Sequence, residues 1–264
     1  MTIRYENNAE TKQMCIYGLG EMHIDVITSK LKNRFGTTVT VSPAKVPYRE
    51  TIKKKVQVEG KHKKQSGGHG QYGHVKIEFS PGDTDGLEFT ETIFGGSVPK
   101  NFHPAVEKGL QESMAKGVLA GYPVIGIKAN LFDGSYHDVD SSEMSFKLAA
   151  NLAFKEGMKQ GGAVLLEPVG ELRVSIPTSY SGDIMGDISK RRGRIMGMSE
   201  SGRKGFTVIE AEVPSAEMGS YAIQLRAMTQ GRGSYSFAFV RYEEAPAEVA
   251  AKVIEAAKKE AAAE

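Results

Sequence analysis

The chain has 264 residues, of which 40% are hydrophobic and 25% charged, and its formal net charge is +2. The length is large for one domain and comfortable for two, and the composition is ordinary for globular proteins. The sequence contains no run of roughly eighteen apolar residues, as a membrane span needs, and its first twelve residues predict no signal peptide. A single cysteine, Cys15, excludes an internal disulfide and favours a reducing, cytoplasmic location.

The first segment, residues 1–43, is predicted to form strand, strand, helix and strand. Residues 2–5 and 12–18 flank a polar turn, and the β-branched residues 37–41 predict a further strand. A helix is expected between them, from residue 20 to 36. Its apolar residues recur at helical spacing: Met22, Val26, Ile27, Leu31 and Phe35.

The second segment, residues 45–163, is predicted to combine four strands with two helices. The strands are 51–60, 74–80, 87–94 and 122–132, and the helices are 104–117 and 143–162. Residues 133–142 are expected to form a polar loop. Asp140 and Glu143 are spaced like the capping box that begins a helix.

The third segment, residues 164–243, repeats the order strand, helix, strand twice. This β-α-β-β-α-β pattern is the ferredoxin-like arrangement. Residues 244–264 are rich in Ala, Glu and Lys and predict a helical tail. The whole chain is therefore expected to be α+β.

Positive charge is concentrated in two stretches. Residues 49–64 carry seven Lys or Arg against two Glu, and residues 187–204 carry six against two acidic residues. Such segregation can steer a protein onto a phosphate backbone, although a charged stretch is more often a solvated surface.

No catalytic template is found in the sequence. It lacks the P-loop, the H-E-x-x-H and C-x-x-C motifs and the nucleophile elbow. The Gly-rich residues 66–73 precede a strand, which favours a hairpin tip over a nucleotide site. His137, Asp138 and Asp140 suggest a metal site or a general base, but no third ligand is apparent nearby. We expect these residues to be solvated, and we keep an enzyme as an alternative.

Two predicted loops have a composition suited to RNA. One contains Lys63, Lys64 and Gln65 beside several glycines, and the other contains Ser135–His137. Lysine attracts phosphate, glutamine reaches base edges or ribose hydroxyls, and Tyr and His can stack on unpaired bases. Ordinary turns would have a similar composition, so the residues alone leave both interpretations open.

Longer motifs resemble translation elongation factor G over nearly the whole chain, up to about residue 245. They include GLGEMHIDVI, PAKVPYRETI, KQSGGHGQYGHV, GSYHDVDSSEM, LLEPV, GDIMGDISKRRGRIMGM and TQGRGSYSF, in this order. The resemblance implies part of domain III at 1–43, a ribosomal-protein-like βαβ domain IV at 45–163, and a ferredoxin-like domain V at 164–243. The GTPase domain and domain II would be missing, and with them GTP and magnesium. We therefore expect no catalytic residue, cofactor or metal in this chain.

The resemblance also implies partners, namely the ribosome, its RNA and the tRNA–mRNA duplex, and no membrane. The domain IV tip that would contact tRNA and mRNA consists of Lys64, Gln65, Ser66, Gly67, Gly68, Ser135, Tyr136 and His137. A basic edge of domain V would contact ribosomal RNA through Lys190, Arg191, Arg192, Arg194 and Arg232. The two helix-to-strand junctions that carry this edge are expected at opposite ends of the sheet.

Two departures from the family pattern bear on the exact role. His69 stands where arginine is common, and residues 217–221 replace the usual E-M-F-G-Y, which removes a Phe expected to anchor a helix. A specialised paralogue or a ribosomal protection protein is therefore the alternative function. The resemblance also implies that residues 1–43 lack a strand and a helix. We expect the strand at 37–41 to lose its partner, and this segment to favour non-physiological self-association.

Overall fold

The computed structural model describes residues 3–8, 11, 13–18, 20–65 and 70–263. The helices are α1 (Glu21–Phe35), α2 (His103–Met114), α3 (Glu143–Gln160), α4 (Ser181–Lys190), α5 (Tyr221–Thr229) and α6 (Ala247–Ala263). The strands are β1 (Arg4–Asn8), β2 (Gln13–Tyr17), β3 (Arg49–Ile52), β4 (Val56–Lys64), β5 (Gln71–Pro81), β6 (Leu87–Glu91), β7 (Ile127–Ser135), β8 (Ala163–Pro177), β9 (Arg194–Glu200), β10 (Phe206–Pro214) and β11 (Ser234–Glu244).

The chain divides into two compact units. One consists of residues 1–47 with 167–243, and the other of residues 48–166 with 244–264. No described helix is both long enough and apolar enough to cross a membrane.

At the N-terminal end, β1 and β2 form an antiparallel hairpin, which α1 follows. Helix α1 ends at Gly36, whose φ of 66° lies in the left-handed region that glycine tolerates best. The predicted strand at 37–41 is wrong, since residues 36–48 contain no strand. Among the described residues no strand pairs with this stretch, and a β-branched run needs a partner for its backbone groups.

The second unit is built on a four-stranded sheet in the order β4-β5-β7-β6. β4, β5 and β7 are antiparallel neighbours, whereas β6 and β7 are parallel and are joined through α2. This β6-α2-β7 unit confirms the predicted βαβ fold. The core between α3 and the sheet is mostly aliphatic, and within it the rings of Phe79 and Phe154 meet edge to face at 6.2 Å.

Several predicted element bounds in this unit are wrong. The strand expected at 87–94 ends at Glu91, and the strand expected at 122–132 begins at Ile127. The strand at 51–60 is two strands, because β3 pairs with the start of β8 while β4 pairs with β5. β7 extends to Ser135, which therefore lies in a strand rather than a loop. The N-cap of α3 is Ser142, whose side chain accepts a hydrogen bond from Ser145 N, and Asp140 bonds elsewhere.

Glu50, on β3, is a fully buried carboxylate. Its two oxygens accept hydrogen bonds from the backbone N–H groups of Leu119 at 2.9 Å, Ala120 at 2.9 Å and Tyr122 at 3.2 Å. A buried charge is tolerated only when such bonds replace its water. The carboxylate therefore organises the connection between α2 and β7.

The ferredoxin-like domain has the strand order β11-β8-β10-β9, with α4 and α5 in the connections. This confirms the predicted β-α-β-β-α-β topology. One core of aliphatic side chains from β8, β10 and the two helices includes the fully buried Tyr221. Helix α5 begins at Tyr221, after residues 215–217, which form a separate helical turn.

Candidate nucleic-acid interface

The hairpin of β4 and β5 ends in the first predicted RNA-contacting loop. The pairing runs to Lys64 opposite Gln71, so Lys64 is the last paired residue before the turn. Lys61, Lys63, Lys64 and Gln65 are exposed. The predicted tip residues Ser66, Gly67 and Gly68, together with His69, lie outside the described residues.

Two glycines hold this hairpin tightly against α3. A Cβ atom at Gly60 would lie 2.1 Å from Ala149 O, and one at Gly73 would lie 2.3 Å from Ser145 O. Both distances are far below van der Waals contact, so only glycine permits this approach. The base of the tip is therefore fixed on a helix rather than carried by an isolated ribbon.

Hydrogen bonds join the second predicted loop to the first. Asp140 Oδ1 accepts from Gly70 N at 2.8 Å, and Asp140 O accepts from Tyr72 N at 2.8 Å. Ser141 Oγ donates to Tyr72 O and accepts from His137 N, both at 2.9 Å. The structure thus brings both predicted loops together into one tip.

The three predicted residues of the second loop have different environments. Ser135 Oγ lies 2.7 Å from both Tyr72 Oη and His74 Nδ1, so it is an internal anchor. His137 is exposed, and its ring meets that of Tyr72 edge to face at 4.1 Å. Tyr136 is 42% exposed. Of these three residues, Tyr136 and His137 are therefore the ones available to a ligand.

Sequence reasoning missed the two residues that organise the tip, Tyr72 and Asp140. Tyr72 is buried although it lies on the face of β5 that carries His74 and Lys76, opposite Val75 and Ile77, so the alternation gave no signal for its burial. Asp140 was assigned to a helix cap, because its partner Gly70 is remote in sequence. Among the described residues, no cluster of three His, Cys, Asp or Glu could hold a metal ion.

His74 lies beneath the tip, between Ser135 and the carboxylate of Glu59, whose Oε1 is 2.9 Å from His74 Nε2. Burial lowers the pKa of His74, and Lys61 and Lys76 lower it further, while Glu59 and Asp133 oppose them. We therefore expect a neutral imidazole at neutral pH in the folded protein.

We predict that His74 makes the fold less stable in mild acid. Because folding lowers its pKa, the unfolded chain takes up the proton first, near the ordinary value of about 6.5. The stability that neutral His74 contributes to the fold is present above that pH and is lost as the pH falls below it. Urea unfolding between about pH 7.5 and pH 5 should show a steeper loss in wild type than in His74→Gln. Equal slopes for wild type and His74→Gln would contradict the prediction.

In domain V, Arg191 belongs to the interior rather than to an exposed basic edge. Only 7% of the residue is exposed, and its guanidinium bonds Asp187, Glu217 O and Gln224. It also lies 4.9 Å from the centre of the Tyr221 ring. The expectation that Arg191 presents its charge at the surface is therefore wrong.

Arg192 is also engaged within the domain. It forms a two-pronged bond to the buried carboxylate of Glu167, at 2.7 and 2.8 Å, and its Nε donates to Glu217 at 3.0 Å. These partners raise its pKa further and keep it charged. Its φ of 60° lies in the left-handed region, which such bonds help to maintain. Its first role is therefore structural.

The remaining predicted residues of the basic edge reach the surface. Lys190 and Arg232 are exposed, and Arg232 donates to Tyr180 Oη at 2.6 Å. Arg194 has 63% of its side chain exposed while it pairs with Glu212. Arg192 bonds Glu167 near one end of β8, whereas the partner of Arg232 follows the other end. This confirms that the two junctions lie at opposite ends of the sheet.

A βαβ domain with a basic hairpin tip, followed by a ferredoxin-like domain, is the arrangement of the C-terminal domains of a translation factor. The chain belongs to the elongation factor G family. The family model of elongation factor G domain III matches residues 1–43, that of domain IV matches 44–162, and that of the C-terminus matches 164–253.

Two relatives show the extent of the similarity. The chain is 50% identical over 260 residues to an elongation factor G-like protein of Thermotoga maritima, a match that covers 98% of this chain and 38% of the relative. A crystal structure of a protein from Thermus thermophilus matches with a TM-score of 0.87 and 42% identity, over 97% of this chain and 38% of that one. The chain thus spans well under half the length of these relatives.

Proposed function

We propose that this chain is the ribosome-binding arm of a translational GTPase that promotes tRNA–mRNA translocation in the cytoplasm. The observation that carries this proposal is the bonded tip, in which Asp140 ties Gly70 to the loop of Tyr136 and His137. Exposed lysines and stackable rings near the hydrogen bonds of Asp140 suit an RNA ligand better than they suit catalysis. In this proposal the longer protein hydrolyses GTP, and the tip contacts the RNA.

Each exposed side chain of the tip has a definite task in this proposal. Lys64 neutralises phosphate, and Gln65 donates to or accepts from base edges or ribose hydroxyls. Tyr136 and His137 form hydrogen bonds with nucleotides of the tRNA–mRNA duplex. Because α3 and the sheet hold the tip in place, the duplex would meet a preformed surface that obstructs its return.

Domain V is proposed to contact ribosomal RNA through its exposed cations, Lys190, Arg194 and Arg232. Their positions at opposite ends of the sheet predict separate contacts rather than one shared site. Arg191 and Arg192 are proposed to act indirectly, because they hold α4 against the turn before α5.

The tip assignment predicts the effect of replacing Gln65 and His137 together with alanine in the full-length factor. Loss of two nucleotide contacts is expected to slow translocation by about 30-fold or more, as each base contact is worth about 1–3 kcal/mol and about 1.4 kcal/mol is tenfold in rate. Single-turnover translocation kinetics would measure this, and thermal unfolding would check the fold. Gln160→Ala, on the exposed end of α3, is the matched control. Unchanged translocation rates in the double variant would rule out the assignment.

A specialised paralogue is the second candidate, since the Thermotoga relative is itself called elongation factor G-like. A Cβ atom at Gly219 would meet no atom within 4 Å, and Gly219 and Ser220 line an open pocket together with Arg191 and Gln224, at the position where the family has its Phe. Growth of cells in which the full-length protein replaces the housekeeping factor would distinguish a general translocase from a specialised paralogue, because only a general translocase supports growth.

A further inference from the structure

Phe94, between β6 and α2, is the most exposed large hydrophobic residue in the described part of the chain, at 93%. The two residues after it, Gly95 and Gly96, have φ angles of 68° and 70°, which other residues rarely adopt. Ile93 packs on the core and Val98 is 1% exposed, so both sides of this short loop are anchored. The fold therefore holds the Phe94 ring in solvent.

The loop lies at the same end of the sheet as the tip. β6 runs parallel to β7 with Glu91 opposite Leu131, and Thr92 N donates to Leu131 O at 2.9 Å. A Cβ atom at Gly134 would lie 2.6 Å from Val98 Cγ2. Residues 93–97 therefore pass beside the end of β7, from which the chain continues into the second tip loop. Only β7 separates β6 from β5, at about 4.8 Å per strand spacing.

The chemistry of the loop favours one kind of partner. Gly95, Gly96 and Ser97 add no apolar side chain, so the loop presents a single ring and not an apolar patch. A protein interface or a membrane surface would need a wider apolar area. A single flat ring beside backbone without side chains suits stacking on one unpaired base, with the tip lysines holding the adjacent phosphates.

We infer that Phe94 is a third element of the tip, a stacking residue for an unpaired nucleobase of the bound RNA. This inference rests on the proposed function of the tip, and it adds a preference for single-stranded or looped RNA. A base within a duplex is stacked on both faces and does not offer a free face to Phe94.

The chain contains no tryptophan, so Phe94→Trp would place a single fluorescent reporter at this position. We expect its emission to be quenched by a stem-loop RNA with an unpaired loop, and not by a duplex with the same number of phosphates. Phe94→Ala should weaken stem-loop binding by roughly 5- to 100-fold, the range for loss of one stacked base, and leave duplex binding unchanged. Phe94→Leu keeps an apolar side chain without a flat ring and should lose affinity similarly. Phe239→Trp, a 57% exposed site in domain V, is the control without quenching.

Replacing Lys63 and Lys64 with alanine separates this inference from the proposed function. If this change weakens the binding of both RNAs and lowers the salt dependence of that binding, the tip binds RNA. Full affinity of Phe94→Ala and Phe94→Leu, with no quenching of Phe94→Trp, would then overturn the role of Phe94 alone. If neither RNA responds to the lysine changes, the proposed function itself fails. Quenching or a blue shift with anionic lipid vesicles, and not with RNA, would assign Phe94 to a membrane surface and overturn the inference.

Discussion

Replacing Glu50 with alanine is expected to lower the free energy of unfolding of the unit that contains domain IV by about 3–5 kcal/mol. The carboxylate is fully buried, and three backbone N–H groups donate to it. Alanine would leave these donors without a partner and would open a cavity beside Gly117, where a Cβ atom would lie only 2.2 Å from the carboxyl of Glu50. Urea unfolding followed by circular dichroism would measure the loss.

Two further variants define the cause of this loss. Glu50→Gln keeps one oxygen acceptor without the charge, so we expect it to lose roughly half as much, since hydrogen bonds to charged groups are about twice as strong as neutral ones. Glu112→Ala removes an exposed glutamate of α2 and its surface ion pair with Lys147, and should cost at most about 1 kcal/mol. If Glu50→Ala were as stable as Glu112→Ala, Glu50 would not organise the connection between α2 and β7.

Replacing Gly60 with alanine is expected to cost about 2–4 kcal/mol and to loosen the tip. The added Cβ would lie 2.1 Å from Ala149 O and 2.7 Å from Ala153 Cβ and N. These are backbone and near-backbone atoms of α3, which cannot move aside as a flexible side chain would. α3 and the β4–β5 hairpin must therefore separate, and the bonds of Asp140 to the hairpin would weaken with them.

Hydrogen exchange would follow this separation at Gly70 and Tyr72, whose N–H groups donate to Asp140. Both amides should exchange faster in Gly60→Ala than in wild type. Gly86→Ala is the control, because a Cβ atom there would meet no atom within 4 Å. Unchanged exchange at Gly70 and Tyr72, together with wild-type stability, would show that the close approach of α3 is not needed.

The sequence predicted the elements whose neighbours in the chain determine them. The helical spacing within 143–162 and the strand–helix order of 164–243 both reappear in the structure, because local periodicity governs which face is buried. The strand at 37–41 failed because β propensity has no effect without a partner strand. The prediction that Ser135 lies in a loop was also wrong. Here a partner strand is present, and pairing with β5 extends β7 into polar residues.

The candidate site was predicted only in part, because some of its features depend on contacts between residues far apart in the chain. The two tip loops were found through their motifs, but their joining by Asp140 depends on a contact seventy positions away. Because arginine is charged, its residue type alone predicts that every arginine is exposed. Arg191 is nevertheless buried among partners from α4, α5 and the turn before α5. The exposure of Phe94 was not predicted, because the pattern placed this residue at the end of the strand expected at 87–94, whereas β6 ends at Glu91.

By itself, the sequence therefore determined the family, the α+β class, the domain order and the identity of the two loops, since these depend on motifs and on local periodicity. Only the tertiary structure decided which charges are free, how the loops combine into one tip, and which aromatic ring stays in solvent. Burial and hydrogen bonding depend on residues far apart in the chain, and those pairs exist only after the sheet and α3 have packed together.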